Sequence, residues 1–443
     1  MRTRRSFAPR TRGEPHRRRL LGAALVSVLS ATVLAACGSD SGPPELNWYT
    51  NPDAGGQTEL AKRCTEASGG AYSINVLPMP RESSAQREQL VRRLAANDDS
   101  IDIMSLDPPY LPEFAEANFL APVPSDIESA VTEDVVQSAI TSSTWKDQLV
   151  GVPFWANTQL LWYKKSVAQA AGLDMTQPVT WQQLVEASES QDTLIAAQGI
   201  RAEALTVWIN ALVESGGGHI LENPEAPADE VQLGLETDAG REAARIMREM
   251  ADKSLAGPAF STQGEDASRA LFESGDASFM VNWPFVWPAG KDAVSAGALE
   301  QSALDDYGWA LYPGVQDGEE SRPPFGGITL AVGAFSKHQD EAFDAIQCIV
   351  QPDNQKYYFI TNGNPAVSRS VYSDPEVLKS FPMAPVIAKS LDDAAVRPQT
   401  PYYSEVSQGL QNTWHPPADI NPKTTPEEST ELITGVLKKE RLL

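Results

Sequence analysis

Short apolar runs and longer amphipathic segments alternate between residues 46 and 106. The runs at 46–49, 72–77 and 101–106 predict strands, because turn-forming residues follow each of them. The segments at 57–68 and 84–96 repeat their apolar positions at helical spacing and predict helices. Strand, helix, strand, helix and strand in this order predict right-handed crossovers and a largely parallel sheet, so the predicted fold class is α/β.

The rest of the chain continues this alternation with a larger share of helices. Residues 149–163 combine apolar side chains with Pro153 and Asn157, and they predict an extended segment that crosses between lobes. Since 443 residues exceed one ordinary domain, we expect two lobes or more. Further strands are predicted at 277–281, 309–313 and 326–332, and further helices at 181–197, 202–213, 238–253, 266–273, 342–350, 355–361, 382–390 and 427–438.

The first 37 residues have the pattern of an export signal. Residues 1–19 contain eight Arg and one acid, and residues 20–36 are apolar or small. Cys37 directly follows Leu34-Ala35-Ala36, a junction typical of bacterial lipoproteins, so we expect cleavage before Cys37 and a lipid anchor on its thiol. A chance Cys beside an ordinary secretory signal is the alternative. Arg4-Arg5 leaves the general secretory and twin-arginine routes both open.

The chain that follows the signal is strongly acidic. Without residues 1–36, which carry eight Arg and one Glu, the formal net charge changes from −24 to −31. Such a protein repels nucleic acid and anionic lipid headgroups at long range, so we expect a neutral ligand and no nucleic-acid partner. Residues 38–44 are polar and small, and they predict a tether between the lipid and the fold.

Cysteine and histidine usage limits the possible chemistry. The remaining cysteines, Cys64 and Cys348, would lie outside the cytoplasm, where thiols tend to pair, so we predict a disulfide between them. Two buried free thiols are the alternative. The sequence has no His/Cys spacing suited to zinc, no P-loop, no Gly-x-Gly-x-x-Gly after a strand and no Gly-x-Ser-x-Gly. We therefore expect no metal, no cofactor and no enzymatic activity.

Several segments match the pattern of one protein family. Phe272 in a short helix, then Gly275-Asp276-Ala277, a strand and Trp283 resemble a segment of maltose-binding-type extracellular solute-binding proteins, as do Gly363-Asn364-Pro365 and the Cys37 junction. More narrowly, the chain resembles the trehalose-binding lipoproteins of mycobacterial and actinobacterial trehalose importers. The runs that carry this narrower resemblance lie at 86–94, 104–107, 157–163, 281–285 and 393–398.

The resemblance implies a two-lobed periplasmic-binding-protein fold with the ligand in the cleft between lobes joined by crossing hinge segments. Residues 1–36 would be the signal peptide and 37–44 the tether. Lobe one would comprise 45–155 plus about 326–362, and lobe two 156–325 plus about 363–443. The implied function is a monomeric, lipid-anchored subunit on the extracytoplasmic face of the membrane. It would capture trehalose or a related disaccharide and deliver it to the permease of an ABC importer with a cytoplasmic ATPase.

A neutral disaccharide needs hydrogen-bonding groups in fixed positions and an aromatic platform, and nine residues are candidates. Carboxylates accept hydrogen bonds from hydroxyl groups, and arginine offers a planar set of donors. By resemblance, Asp107 accepts from the sugar and Trp283 stacks on a glucose face. Glu203 and Trp208 are considered as further contacts but are not included. The nine candidates are Asn51, Asp53, Arg81, Asp107, Asn157, Glu265, Trp283, Gly327 and Arg397.

Each candidate also has a purely structural interpretation. Asp107 could begin a turn before Pro108, Trp283 could be a core residue, and Glu265 could be a first-turn acid favoured by the helix dipole. Arg397 could form a structural salt bridge, and Gly327 a plain turn. The family pattern near residues 51–54 differs in detail here, so the acid that binds sugar there stays open.

Two other function classes compete with a sugar-binding importer subunit. A secreted glycoside hydrolase would use two carboxylates, such as Asp107 and Glu265, about 5–5.5 Å or about 6.5–9.5 Å apart. A surface adhesin or assembly factor would show no saturable binding of small sugars. Within the importer hypothesis, another α-glucoside such as maltose is the alternative ligand.

Overall fold

The computed structural model describes residues 42–319 and 321–443. The predicted signal peptide, Cys37 and the first part of the tether lie outside these described residues. Residues 43–443 form one compact unit. Among the described residues, no helix combines the length and the apolar character needed to cross a membrane.

The strands are short and mostly buried. Short 3₁₀ turns at Pro108–Tyr110, Phe260–Thr262, Arg369–Ser373 and Pro417–Asp419 separate some of the regular elements. The strands are β1 (Glu45–Thr50), β2 (Ser73–Pro78), β3 (Ile103–Leu106), β4 (Thr144–Trp145), β5 (Gln148–Leu149), β6 (Val152–Thr158), β7 (Leu160–Lys164), β8 (Leu194–Ala196), β9 (Ala277–Asn282), β10 (Tyr307–Ala310) and β11 (Phe325–Val332).

Helices connect these strands and cover the sheets. In α1, for example, Leu60, Ala61 and Cys64 lie on one buried face at helical spacing. The helices are α1 (Gly56–Ala67), α2 (Ser83–Leu94), α3 (Leu111–Glu116), α4 (Ser125–Thr132), α5 (Gln137–Ser142), α6 (Lys165–Ala170), α7 (Trp181–Gln191), α8 (Glu203–Ser215), α9 (Asp238–Asp252), α10 (Glu265–Glu273), α11 (Val286–Ser295), α12 (Gln301–Asp305), α13 (Gln339–Ile349), α14 (Pro352–Asn362), α15 (Pro375–Ser380), α16 (Ala384–Asp393), α17 (Tyr403–Thr413) and α18 (Thr424–Leu437).

The first sheet has five strands in the order β2-β1-β3-β11-β6. β1 pairs in parallel with β2 and with β3, whereas β11 runs antiparallel to β3 and to β6. The predicted parallel arrangement therefore applies to the first three strands only. Because their carboxyl ends meet at one edge, the residues that follow them are brought together there.

The second sheet has four strands in the order β10-β7-β9-β8. Its only parallel pair is β8 with β9, while β7 runs antiparallel to both of its neighbours. β6 ends at Thr158 and β7 begins at Leu160, so Gln159 alone separates the two sheets along the chain. This passage falls within residues 149–163, where the crossing is predicted; the bounds of the two lobes stay a prediction.

A disulfide joins the two cysteines that follow Cys37. Cys64 lies on α1 and Cys348 on α13, with their Cα atoms 5.8 Å apart. Cys64 belongs to the hydrophobic cluster that also contains Leu46 and Trp48 of β1, and the partly buried Cys348 packs against this cluster. The bond thus fixes two helices, 284 residues apart in sequence, beside the first sheet.

One predicted helix bound is wrong, and one aromatic residue outside the nine candidates lies in the core. The helix predicted at 181–197 ends at Gln191, because Asp192 takes the left-handed conformation with φ 50° and the apolar residues that follow form β8. Trp208, considered as a sugar contact, is fully buried and packs with its ring centroid 5.7 Å from Trp181 and 5.8 Å from Phe260. It is a core residue.

Candidate functional site

A cleft of about 890 Å³ lies where the first sheet faces α8, α10 and the end of β9. This size is within the range of small-molecule sites. All nine predicted residues line the cleft: Asn51, Asp53, Arg81, Asp107, Asn157, Glu265, Trp283, Gly327 and Arg397. The sheet order explains the placement of four of them, Asn51, Asp53, Arg81 and Asp107, because it puts the ends of β1, β2 and β3 side by side.

The two candidate residues after β1, Asn51 and Asp53, differ in their hydrogen bonding. The Asp53 carboxylate accepts hydrogen bonds from the backbone N–H groups of Gly55 (2.9 Å) and Gln57 (2.7 Å), so it orders the turn that begins α1. Asn51 Oδ1 is buried and has no hydrogen-bond partner among the described residues. A buried acceptor without a partner is costly, which makes Asn51 the better candidate for a ligand contact.

Arg81 and Asp266 form an ion pair across the cleft. Arg81 follows β2 of the first sheet, and Asp266 lies in the first turn of α10, on the opposite wall. Arg81 Nη2 is 3.2 Å from Asp266 Oδ2, and the two side chains are 81% and 63% exposed. Because exposed pairs contribute about 0–1 kcal/mol, this contact alone cannot hold the walls together.

Arg397 lies between two carboxylates from opposite walls of the cleft. Its Nη2 donates to Asp107 Oδ1 at 2.5 Å, and its Nη1 donates to Asp107 Oδ2 at 3.2 Å. Nη1 also donates to Glu203 Oε1 at 2.6 Å. Asp107 follows β3, whereas Glu203 is the first residue of α8. The salt bridge considered for Arg397 is therefore present, and it lies within the cleft itself.

Burial and the neighbouring charged groups both shift the pKa values of Glu203 and Arg397. Burial raises the pKa of Glu203, and the carboxylate of Asp107 raises it further, while Arg397 and hydrogen bonds from Tyr403 and Ser407 lower it. The net shift in the pKa of Glu203 is upward because burial, helped by the Asp107 carboxylate, outweighs Arg397 and the two hydroxyl donors. For Arg397, burial lowers the pKa, but Asp107, Tyr403 and Glu203 outweigh burial and raise it well above its ordinary value. Arg397 is thus charged at any physiological pH.

Two tryptophans approach the glycine pair of β11. A Cβ on Gly326 would lie 3.0 Å from Trp283 Cη2, so the indole ring packs directly on that backbone. Gly327 has φ +133°, and a Cβ there would lie 2.3 Å from the Trp155 carbonyl oxygen. Only glycine fits both constraints at Gly327. Gly326 and Gly327 therefore allow Trp283 and the Trp155 backbone to pack closely against β11 at the cleft, so the plain-turn interpretation of Gly327 is incomplete.

Glu265 and Asn157 complete the polar wall. Glu265 begins α10, and burial raises the pKa of its carboxyl, with Glu82 and Asp266 raising it further. Asn157 lies in β6, where it pairs with Gly326 of β11, and its Oδ1 accepts from the backbone N–H of Thr158 at 3.0 Å. Its amide N–H groups remain donors for a ligand.

Glu203 and Trp155 also line the cleft but are not among the nine candidates. Glu203 was considered and left out, and Trp155 was not considered, although it lies two residues before Asn157 and alternates onto the same side of β6. That spacing could have identified Trp155. Nothing local to Glu203 indicates its partner, which is 194 residues away in sequence. Among the described residues, no cluster of His, Cys, Asp and Glu could hold a metal ion.

Comparison with known proteins identifies the family. A family model described as bacterial extracellular solute-binding protein matches residues 71–356, more than half of the chain. The chain belongs to this family. As a solute-binding protein, it is not an enzyme, and the glycoside hydrolase alternative is thereby excluded.

Relatives of similar length support this solute-binding protein assignment. A "probable ABC transporter-binding protein" of Deinococcus radiodurans is 23% identical over 430 residues, covering 93% of this chain and 97% of that protein. The galactooligosaccharide-binding protein of Bacillus subtilis is 23% identical over 331 residues, covering 71% of this chain and 72% of that protein.

Solved structures show the fold of this solute-binding protein. Maltose-bound MalE3 of T. maritima superposes with a TM-score of 0.75 at 24% identity, covering 89% of this chain and 99% of that chain. The GacH receptor of Streptomyces glaucescens gives 0.72 at 19% identity, covering 90% and 98%. The predicted α/β, two-lobed fold with a cleft between the lobes is confirmed.

Proposed function

We propose that this chain is the lipid-anchored, extracytoplasmic sugar-binding subunit of an ABC importer, and that it captures trehalose in the cleft described above. The observation that carries the proposal is the convergence of all nine predicted residues on one cleft of about 890 Å³. A disaccharide fits a site of this size. Captured sugar would then pass to the permease subunits in the membrane, which a cytoplasmic ATPase drives.

The composition of the cleft suits a neutral sugar. Asp107 and Glu265 can accept hydrogen bonds from sugar hydroxyls, Arg397 and Asn157 are donors, and Trp283 offers an aromatic face for a pyranose ring. Of the charged groups in the buried centre, two are carboxylates and one is a guanidinium, so an anionic ligand would meet repulsion. This agrees with the acidity of the whole chain, whose formal net charge is −24.

The sugar class and the choice of trehalose have different support. MalE3 was solved with maltose and the GacH receptor with acarbose, which favours a sugar as the ligand here. Trehalose itself is supported by the resemblance of residues 86–94, 104–107, 157–163, 281–285 and 393–398 to trehalose-binding lipoproteins. Maltose or another α-glucoside is the alternative within the same site.

The same proposal includes the attachment of a lipid and the division of the molecule into two lobes. We propose that Cys37 carries the lipid, that the protein acts as a monomer, and that lobe one comprises 45–155 with about 326–362 and lobe two the remainder. The passage of the chain between the two sheets at Gln159 supports a hinge close to that residue.

Calorimetric titration of the chain from residue 38 onward tests the ligand. We expect micromolar binding of trehalose and no heat from maltose or glucose. Binding of maltose alone would keep the importer function and replace the ligand. Absence of binding to all three sugars would contradict the proposed function and favour the adhesin alternative. Glucose release from trehalose by pure protein would contradict a binding-only role.

A further inference from the structure

Glu203 lines the cleft, yet both of its carboxylate oxygens are already engaged by protein groups. Oε1 accepts from Arg397 Nη1 at 2.6 Å and from the Tyr403 hydroxyl, and Oε2 accepts from Ser407 Oγ at 2.7 Å. Its side chain is 19% exposed. A carboxylate satisfied in this way is better placed to hold its neighbours than to bind a ligand directly.

The group that Glu203 holds is Arg397, whose side chain is only 6% exposed. The guanidinium has Asp107 on one side, in a bidentate pair, and Glu203 on the other. Two anchors on different elements determine both the position of the guanidinium and its plane. With Asp107 as the sole anchor, the pair could rotate together within the cleft.

Two residues of helix α17 donate hydrogen bonds to the Glu203 carboxylate. Tyr403 and Ser407 are four residues apart on α17 and therefore lie on the same face. Ser407 Oγ accepts from Gln411 Nε2 at 2.9 Å and lies 2.8 Å from Thr206 Oγ1 of α8. The Glu203 carboxylate thus accepts hydrogen bonds from Tyr403 and Ser407 of α17 and from Arg397, which disfavours any other orientation of it.

We propose that Glu203 is a positioning residue of the cleft: it fixes Arg397, and through Arg397 the carboxylate of Asp107, in the orientation that binds the sugar. This inference rests on the proposed function and extends it, since it assigns a role in sugar binding to a side chain, Glu203, that does not touch the sugar. It also links β3, on one wall, to α8 and α17 on the other.

Glu203→Gln tests the proposal, because it keeps the shape of the side chain and removes its charge. Glu214→Gln is a matched control: Glu214 lies on the same helix, is 18% exposed, and pairs with His219 at 3.0 Å outside the cleft. We expect Glu203→Gln to weaken sugar binding at least tenfold, about 1.4 kcal/mol, and Glu214→Gln to leave affinity unchanged. Urea unfolding of both variants separates loss of stability from loss of affinity. Unchanged affinity in folded Glu203→Gln would overturn the proposal.

A double-mutant cycle distinguishes positioning from a general structural role. If Glu203 acts through Arg397, Glu203→Gln should cause no further loss of affinity in an Arg397→Ala background. Independent, additive losses would overturn the proposal.

A third measurement does not depend on any sugar. Crystal structures of the wild type and Glu203→Gln, both without ligand, should show the Arg397 guanidinium, still paired with Asp107, rotated to a new position in the variant. An unmoved guanidinium would overturn the positioning role. If the wild type binds none of the three sugars, the proposed function fails, while this structural comparison still decides whether Glu203 holds Arg397.

Discussion

At the scale of single residues, Trp283 shows how a side chain can satisfy packing and binding together. Its ring edge rests on the Gly326 backbone, and the residue as a whole stays partly exposed in the cleft. The core interpretation considered for Trp283 therefore does not describe it fully. A ring fixed along one edge loses little conformational entropy when a sugar stacks on its face.

Trp283→Ala should weaken sugar binding at least tenfold, about 1.4 kcal/mol, because it removes this aromatic face. Calorimetric titration measures the effect. Trp287→Ala is the control, since Trp287 is also partly buried but lies outside the cleft, with its Nε1 donating to the Ser380 carbonyl at 2.9 Å. Equal losses of affinity in Trp283→Ala and Trp287→Ala would show that the sugar does not bind in this cleft.

Glu265 carries a prediction about stability and pH. Burial raises the pKa of its carboxyl above the ordinary value, so between these two values the folded state binds more protons than the unfolded state. The contribution of Glu265 to the free energy of unfolding therefore falls as pH rises through that window. Glu265→Gln should gain stability relative to the wild type as pH increases from about 4 to about 7.

Urea unfolding at several pH values across that range measures the difference. Glu66→Gln, at an exposed position on the surface, is measured alongside as the control. A difference for Glu265→Gln that is independent of pH would show that burial does not raise the pKa of Glu265.

At the scale of elements, the glycine pair of β11 determines how closely β6 and β11 approach. Gly327→Ala would place a Cβ 2.3 Å from the Trp155 carbonyl oxygen at a φ of +133°. Gly297→Ala is the control, since Gly297 also has a positive φ, +70°, but no atom lies within 4 Å of its added Cβ. We expect a loss of about 1–2 kcal/mol for Gly297→Ala and about 3 kcal/mol or more for Gly327→Ala.

Denaturant unfolding measures the stability losses of both variants, and titration with sugar measures the effect on affinity. Since Trp155 and Gly327 line the cleft, Gly327→Ala should also reduce affinity, whereas Gly297→Ala should not. Equal stability losses in the two variants would mean that β11 shifts freely to accommodate the new Cβ.

The prediction of elements succeeded where the apolar pattern was simple. The strands and helices between residues 45 and 106 lie close to their predicted bounds, because their apolar positions follow the strand or helix period and turn-forming residues separate them. Helix α17 was missed, although Tyr403, Val406 and Leu410 repeat at helical spacing and are buried. The helix predicted at 181–197 was too long, since a chain reversal at Asp192 leaves no mark on the apolar pattern.

At the scale of the whole molecule, the cleft has walls from both sheets, and a bound sugar would contact both. Closure of two lobes around a ligand is a hinge motion. We expect a smaller radius of gyration in saturating trehalose than without it, measured by small-angle X-ray scattering. Trp283→Ala at the same sugar concentration is the control and should show a smaller change. An unchanged radius in a sugar-saturated wild type would contradict hinge closure.

The sequence by itself determined the α/β class, the family resemblance and the residues that surround the cleft. For the residues after β1, β2 and β3 this was possible because side chains that follow neighbouring parallel strands meet at one edge, whereas Trp283 was identified through the family resemblance. Asn51, Arg81 and Asp107 are placed by that rule alone. Whether these residues bind a sugar stays a prediction.

Only the tertiary structure decided which groups contact one another within the cleft. Arg397 meets Asp107 and Glu203 across sequence separations of 290 and 194 residues, and no local pattern encodes such a pairing. Likewise, β11 joins the first sheet and β10 the second, although the two strands are consecutive in the chain. The physical reason is the same in both cases: periodicity reports which face of an element is buried, whereas the partner of a buried charge depends on how distant elements pack.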